Sequence, residues 1–118
     1  MRERTPPVRD PQNVSRARRR LARRPAPASI ARIQAALCEP ARLRIVQALS
    51  AAPLCVDDLA AVIERSPVAT SQHLRVLRDV GLVEGVRRGT TVSYRLRQGP
   101  AAAHLEAVLQ ALERDPPA

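Results

Sequence analysis

The sequence predicts a mainly helical domain carrying one small β-hairpin, in the order α-α-α-α-β-β-α. Three observations carry that expectation. Apolar residues recur at helical spacing across 29–80 and again across 100–113, prolines 40 and 67 stand where helices would start, and the period falls to two beyond Gly81.

The first helix is expected over 29–38, with Ser29 as its N-cap and Ile30, Ile33, Ala36 and Leu37 along one face. Glu39-Pro40 opens the second, because a proline at the first helical position gives up an N–H that would have no partner anyway; Leu43, Val46 and Leu49 line its face, and it stops before Pro53. A third, over 56–64, turns Leu59, Ala60 and Ile63 inward. Ser66-Pro67 caps and starts the fourth, which runs to about Val80 and closes on Gly81. So few residues separate the third and fourth helices that the pair must meet at an angle across a tight turn.

Val92, Tyr94 and Leu96 then alternate with Thr91, Ser93, Arg95 and Arg97, the pattern of a strand. It pairs most simply with 82–86 across a turn at Arg87-Arg88-Gly89-Thr90, giving a hairpin tipped with arginines. A last helix over 100–113 carries Leu105, Val108, Leu109 and Leu112.

A chain of 118 residues has room for one domain. Its apolar content is 45%, yet it has no Phe or Trp, and Tyr94 is its one aromatic residue. A core this poor in large side chains is expected to complete itself by forming a homodimer. All 20 basic residues are arginine, and the net charge of +9 is concentrated at one end. Residues 1–24 hold nine arginines against Glu3 and Asp10, so most of the charge belongs to this segment. Residues 1–28 are expected to be a disordered basic arm, since Pro6, Pro7, Pro11, Pro25 and Pro27 would break an amphipathic helix. The folded domain is expected over 29–114, with a disordered tail at 115–118. Two cysteines and no long apolar run point to a cytoplasmic protein without a disulfide framework or a membrane span.

The fourth helix separates into two faces when projected at about 100° per residue. Thr70, His73, Leu74, Leu77 and Val80 fall on a core side; Val68, Ser71, Gln72, Arg75 and Arg78 fall opposite. The outward set combines the groups that a major groove requires. Gln bonds adenine through two atoms, Arg bonds guanine or phosphate, and Val touches a thymine methyl. An ordinary solvated helix face has similar composition, and position decides between the two: this is the second helix of a tight pair, followed directly by a hairpin whose Arg87 and Arg88 can reach phosphates. His73 and His104 are read as packed, hydrogen-bonded residues.

In these residues the chain resembles the ArsR/SmtB family of winged helix-turn-helix regulators. The matching segments are Glu39-Pro40-Ala41-Arg42-Leu43-Arg44-Ile45-Val46, Asp58-Leu59-Ala60, Ser71-Gln72-His73-Leu74-Arg75-Val76-Leu77-Arg78, Gly81-Leu82-Val83, and the hairpin from Arg87 to Leu96. The resemblance implies a homodimer built on the first and last predicted helices. It also implies an operator of imperfect two-fold symmetry, and repression relieved by an effector.

Family members that sense metal through the last helix place ligands where this chain has Gln98, Pro100, Ala111 and Arg114, none of which is a ligand. Those that sense through the third helix carry Leu-Cys-Val-Cys-Asp-Leu, and this chain keeps one thiol in Leu54-Cys55-Val56-Asp57-Asp58-Leu59. Cys55 is thus the candidate for a thiophilic metal or metalloid, or for an oxidant, because a helix N-terminus favours thiolate. Cys38 is expected to be a small buried hydrophobe and a lesser candidate. Asp57 and Asp58 are read as acids favoured in a first helical turn. The expected function is sequence-specific DNA binding in transcription regulation, with a winged-helix protein-interaction module as the alternative. The latter would carry an acidic or strongly apolar face on the fourth helix. No nucleophile–base pairing, phosphate loop or complete metal set suggests an enzyme.

Overall fold

The computed structural model describes residues 5–23, 28–99 and 101–114. Its elements are α1 (Pro11–Arg23), α2 (Ala28–Leu37), α3 (Pro40–Ala51), α4 (Val56–Ile63), α5 (Pro67–Asp79), β1 (Val83–Arg88), β2 (Thr91–Leu96) and α6 (Ala102–Arg114). From α2 onward this is the expected order. The prolines and Ser66 act as the sequence suggested: Pro40 and Pro67 begin α3 and α5, the Glu39 carboxylate accepts the Arg42 amide, and the Ser66 hydroxyl accepts the Ala69 amide at 3.1 Å.

Helix α1 corrects the expectation of disorder for residues 11–23. Among the prolines counted as breakers, Pro11 stands at the first helical position, where it fits, and none lies between 12 and 23. Asp10 supplies the cap, its two carboxylate oxygens accepting the Asn13 amide at 3.0 Å and side-chain nitrogen at 2.9 Å. Arginine and alanine are good helix formers, and they make up most of the helix beyond Asn13. The expected disorder at 1–4, 24–27 and 115–118 lies outside the described residues. A smaller difference concerns α2, which begins at Ala28 and so holds Ser29 inside its first turn.

One apolar core joins α2 through α6 and the hairpin. Ile45, Leu59, Ile63, Leu74, Leu77, Leu82 and Val83 have almost no exposure, and Ile33, Leu37, Val46, Leu49 and Leu105 complete the cluster. The turn between α4 and α5 is held from a distance, because Arg44 on α3 donates from Nη1 to the Ile63 carbonyl at 2.9 Å, on the last turn of α4. A cation there meets the negative end of the helix dipole. Arg42 does the same for α2, donating from Nε to the Ala36 carbonyl at 2.7 Å.

Helix α5 gives way to β1 through Gly81, whose φ of +82° is the left-handed conformation that an L side chain rarely adopts. The antiparallel register runs from Val83 opposite Leu96 to Arg88 opposite Thr91. Only Gly89 and Thr90 remain for the turn, so Arg87 and Arg88 belong to β1, not to its loop. Gly85 faces Tyr94; a Cβ there would lie 3.0 Å from Val92 Cγ1 and 3.4 Å from Tyr94 Cε1, so its absence lets those two side chains close over the strand. On its other edge Tyr94 pairs with Leu54 in the loop before α4, the two backbones exchanging hydrogen bonds of 2.8 and 3.1 Å. No helix among the described residues is long and apolar enough to cross a membrane.

Candidate nucleic-acid interface

The two faces of α5 separate as the periodicity requires. Thr70, Leu74 and Leu77 are buried, His73 and Val80 half-buried, while Val68, Ser71, Gln72, Arg75 and Arg78 are all exposed. Thr70 satisfies its hydroxyl inside the helix by donating to the Ser66 carbonyl at 2.9 Å. A cap and an inward hydrogen bond both stand at the first turn of α5, beneath its exposed face.

Ser71, Gln72, Arg75 and Arg78 line one groove of about 270 Å³ together with Leu74 and Tyr94. The tyrosine is a groove-lining residue that sequence reasoning placed on one face of its strand and did not connect with the fourth helix. The available signal was its uniqueness, a lone aromatic residue opposite a glycine that clears space for its ring. Val68 stands outside this groove, 70% exposed in the first turn of α5.

Arg87 and Arg88 are exposed near the hairpin tip, but as consecutive strand residues they leave opposite faces of the ribbon. The expectation of two arginines carried together on a loop is corrected by the register. Among the described residues Arg75, Arg78, Arg87 and Arg88 engage no protein acceptor, whereas Arg42 and Arg44 are committed to helix carbonyls and Arg95 pairs with Glu84 at 2.9 Å. Uncommitted guanidinia are thus present on both α5 and the hairpin.

His73 faces the start of α3 and contributes to the field around Glu39. The Glu39 carboxyl is held below the usual glutamate range first by the hydrogen bond from the Arg42 amide, with lesser help from the Ala41 amide and the charges of His73 and Arg42, against an opposing effect of desolvation. His104 departs from its expected satisfied state, since its Nε2 is enclosed and has no hydrogen-bond partner among the described residues.

The thiols differ from expectation in one respect. Cys55 is half-buried at the N-cap of α4 and its side chain makes no cap hydrogen bond, whereas Cys38 is exposed and not a buried hydrophobe. Leu37 takes the inward position at the end of α2, and the next residue, about 100° further round, emerges on the outside. Both thiols are free. Among the described residues no three His, Cys, Asp or Glu side chains gather into a metal-binding group, so Cys55 does not fit a metal site closed within one subunit. Of the family's last-helix metal positions, Pro100 falls outside the described residues.

Residues 39–85, which span α3, α4, α5 and the start of β1, match the family model of bacterial regulatory proteins of the arsR family. The chain is 40% identical over 84 residues to the HTH-type transcriptional regulator NmtR of Mycobacterium tuberculosis, covering 71% of this chain and 70% of that protein. It is 37% identical, also over 84 residues, to a CadC homologue of Staphylococcus aureus, a cadmium resistance transcriptional regulatory protein, covering 70% and 69%. Among solved structures, the homodimeric winged helix-turn-helix DNA-binding domain Mb0332 from Mycobacterium bovis superposes with a TM-score of 0.64 at 31% identity, over 73% of this chain and 79% of that one. The fold, the uncommitted arginines and these likenesses agree: the chain belongs to the ArsR family of winged helix-turn-helix transcription regulators, which are DNA-binding proteins and not enzymes.

Proposed function

We propose that the protein is a repressor acting as a homodimer on an operator of two-fold symmetry, with α5 of each subunit in a major groove. The observation that carries this reading is the convergence of Ser71, Gln72, Arg75 and Arg78 on one exposed groove edge beside Tyr94. Val68 extends the same face toward the helix N-terminus, and Arg87 and Arg88 supply phosphate contacts from the hairpin. Dimerisation through α2 and α6 is supported by the apolar stripe of α6, of which Leu105 alone is buried while Val108, Leu109 and Leu112 remain half-covered in the single chain. Purified protein is expected to shift a duplex from its own upstream region in preference to a scrambled duplex of equal length, and to sediment as a dimer. A monomer that retards both duplexes equally would overturn the reading.

Effector sensing is assigned to Cys55. The named cadmium-resistance relative makes a thiophilic metal or metalloid the first class to try, with oxidants and persulfide beside it. Its position supports the assignment: Leu54, the preceding residue, is hydrogen-bonded in both directions to Tyr94, which lines the α5 groove. Cys55→Ser is expected to abolish inducer-driven release from the upstream duplex while leaving affinity without inducer unchanged, as followed by fluorescence anisotropy across an inducer panel. Unaltered release would remove Cys55 from the pathway, and Cys38→Ser then tests the remaining thiol.

A further inference from the structure

We propose that α1 is a second DNA-contacting element, a helix whose arginine stripe seats on the phosphate backbone beside the site read by α5. The inference rests on the DNA-binding reading above and concerns a surface outside the helix-turn-helix. Arg16, Arg19, Arg20 and Arg23 stand at spacings of three, four and seven, which puts them within an arc of about 100° on the helix, and together they line a single groove. Arg18 lies on the opposite side with Val14 and Leu21. No acid occurs inside α1, and the neighbouring Asp10 is spent on the cap. Among the described residues none of the four stripe arginines takes part in an ion pair.

Such a stripe works against its own helix. Like charges three and four residues apart repel, and 13 residues in isolation make a marginal helix. The arrangement is therefore suited to a partner that neutralises the whole row at once. The four arginines span about 10.5 Å of helix axis at 1.5 Å per residue. Duplex DNA offers a negative charge per about 1.7 Å, and a row of guanidinia displaces its condensed counterions. Five Cα-to-Cα steps separate Arg23 from Ala28, so the chain keeps α1 within about 18 Å of the start of α2. Once α5 is engaged, that tether makes the second contact effectively intramolecular. An anionic membrane surface is the competing polyanion. It would call for a broad apolar face with large or aromatic side chains, and α1 presents Val14, Ala17 and Leu21.

The test uses the full chain and a quadruple variant, R16Q/R19Q/R20Q/R23Q, with R18Q as the control on the far side. Affinity is measured by anisotropy from low to moderate salt on the chain's own upstream duplex and on a scrambled duplex. The quadruple variant is expected to flatten the slope of log affinity against log salt by about 0.9 for each phosphate no longer neutralised, hence by about 3 to 4 per subunit and about 7 for the dimer, equally on both duplexes. R18Q is expected to change the slope by about 1 or less. Circular dichroism of Ala17→Pro, which keeps every charge, should show less helix than the unmodified chain, and its salt slope should fall in part. An unchanged slope in the quadruple variant overturns the proposal, as does an Ala17→Pro variant that keeps the full slope. Tighter binding to phosphatidylserine vesicles than to duplex at the same salt also overturns it. Preference for the upstream duplex over the scrambled one is read in the same titration, so a failure of α1 is distinguishable from a failure of α5 as the reader.

Discussion

Replacing Gln72 and Arg75 by alanine is expected to erase the preference for operator over random duplex while leaving the fold intact. Both side chains are exposed on the groove edge of α5, so truncation creates no cavity; what disappears is the pair of groups able to bond base edges through two atoms. Each such contact discriminates by about 1–3 kcal/mol, and a dimer uses each position twice. Removing both therefore takes away four contacts, together about 4–12 kcal/mol, or about a thousandfold of discrimination at the lower bound. Arg87→Ala and Arg88→Ala behave differently. They are expected to weaken both duplexes to a similar degree and to lower the salt slope by about 1 for each phosphate that goes unpaired. Because the two arginines leave opposite faces of the hairpin, one of the two should dominate. Competition anisotropy with operator and scrambled duplex checks all four variants, and retention of the preference in Q72A/R75A would show that another surface reads the bases.

Leu77→Ala is expected to lower the unfolding free energy by about 2–5 kcal/mol, a large share of the roughly 5–15 kcal/mol typical of a domain. Leu77 is fully buried, and its carbonyl accepts the Leu82 amide at 3.0 Å where α5 hands over to β1. The core around it has no Phe or Trp to relax into the space, so most of the cavity should persist. Arg78→Ala, one residue on and exposed, is expected to stay within about 0.5 kcal/mol. Urea denaturation compares the two: the first should shift the midpoint at constant slope, the second should not. A cost for Leu77→Ala below about 1 kcal/mol would place it outside the core.

The contrast between residues 77 and 78 is also where the sequence was most informative. Periodicity placed the nine chosen residues of α5, and Val80 at its C-cap, on the correct side, because a helix packed on one face imposes its 3.6-residue repeat on the chain. Pro40, Ser66, Pro67 and Gly81 marked boundaries through local backbone chemistry alone, and the structure uses each as such. Other features were misread or not anticipated. Counting prolines in the arm overlooked that Pro11 is a helix starter when Asp10 precedes it. The hairpin register turned on two extra ladder pairs that composition does not encode. Cys38 emerged because Leu37 had already taken the inward position. Tyr94 joined the groove only through the tertiary approach of β2 to α5, and the hold of Arg44 on Ile63 likewise spans 19 positions of sequence.

The backbone pair between Leu54 and Tyr94 is a single bridge that ties the two-stranded sheet, on the edge of β2 away from β1, to the loop ahead of α4. The hairpin is consequently not a free flap. Any event that drags Leu54 sideways must either break two amide hydrogen bonds together or carry β2 along with it, and the ring of Tyr94 moves with that strand. Under the assignment of sensing to Cys55 proposed above, a change at that thiol would reach the α5 groove through this one backbone pair, with no need to unfold either helix.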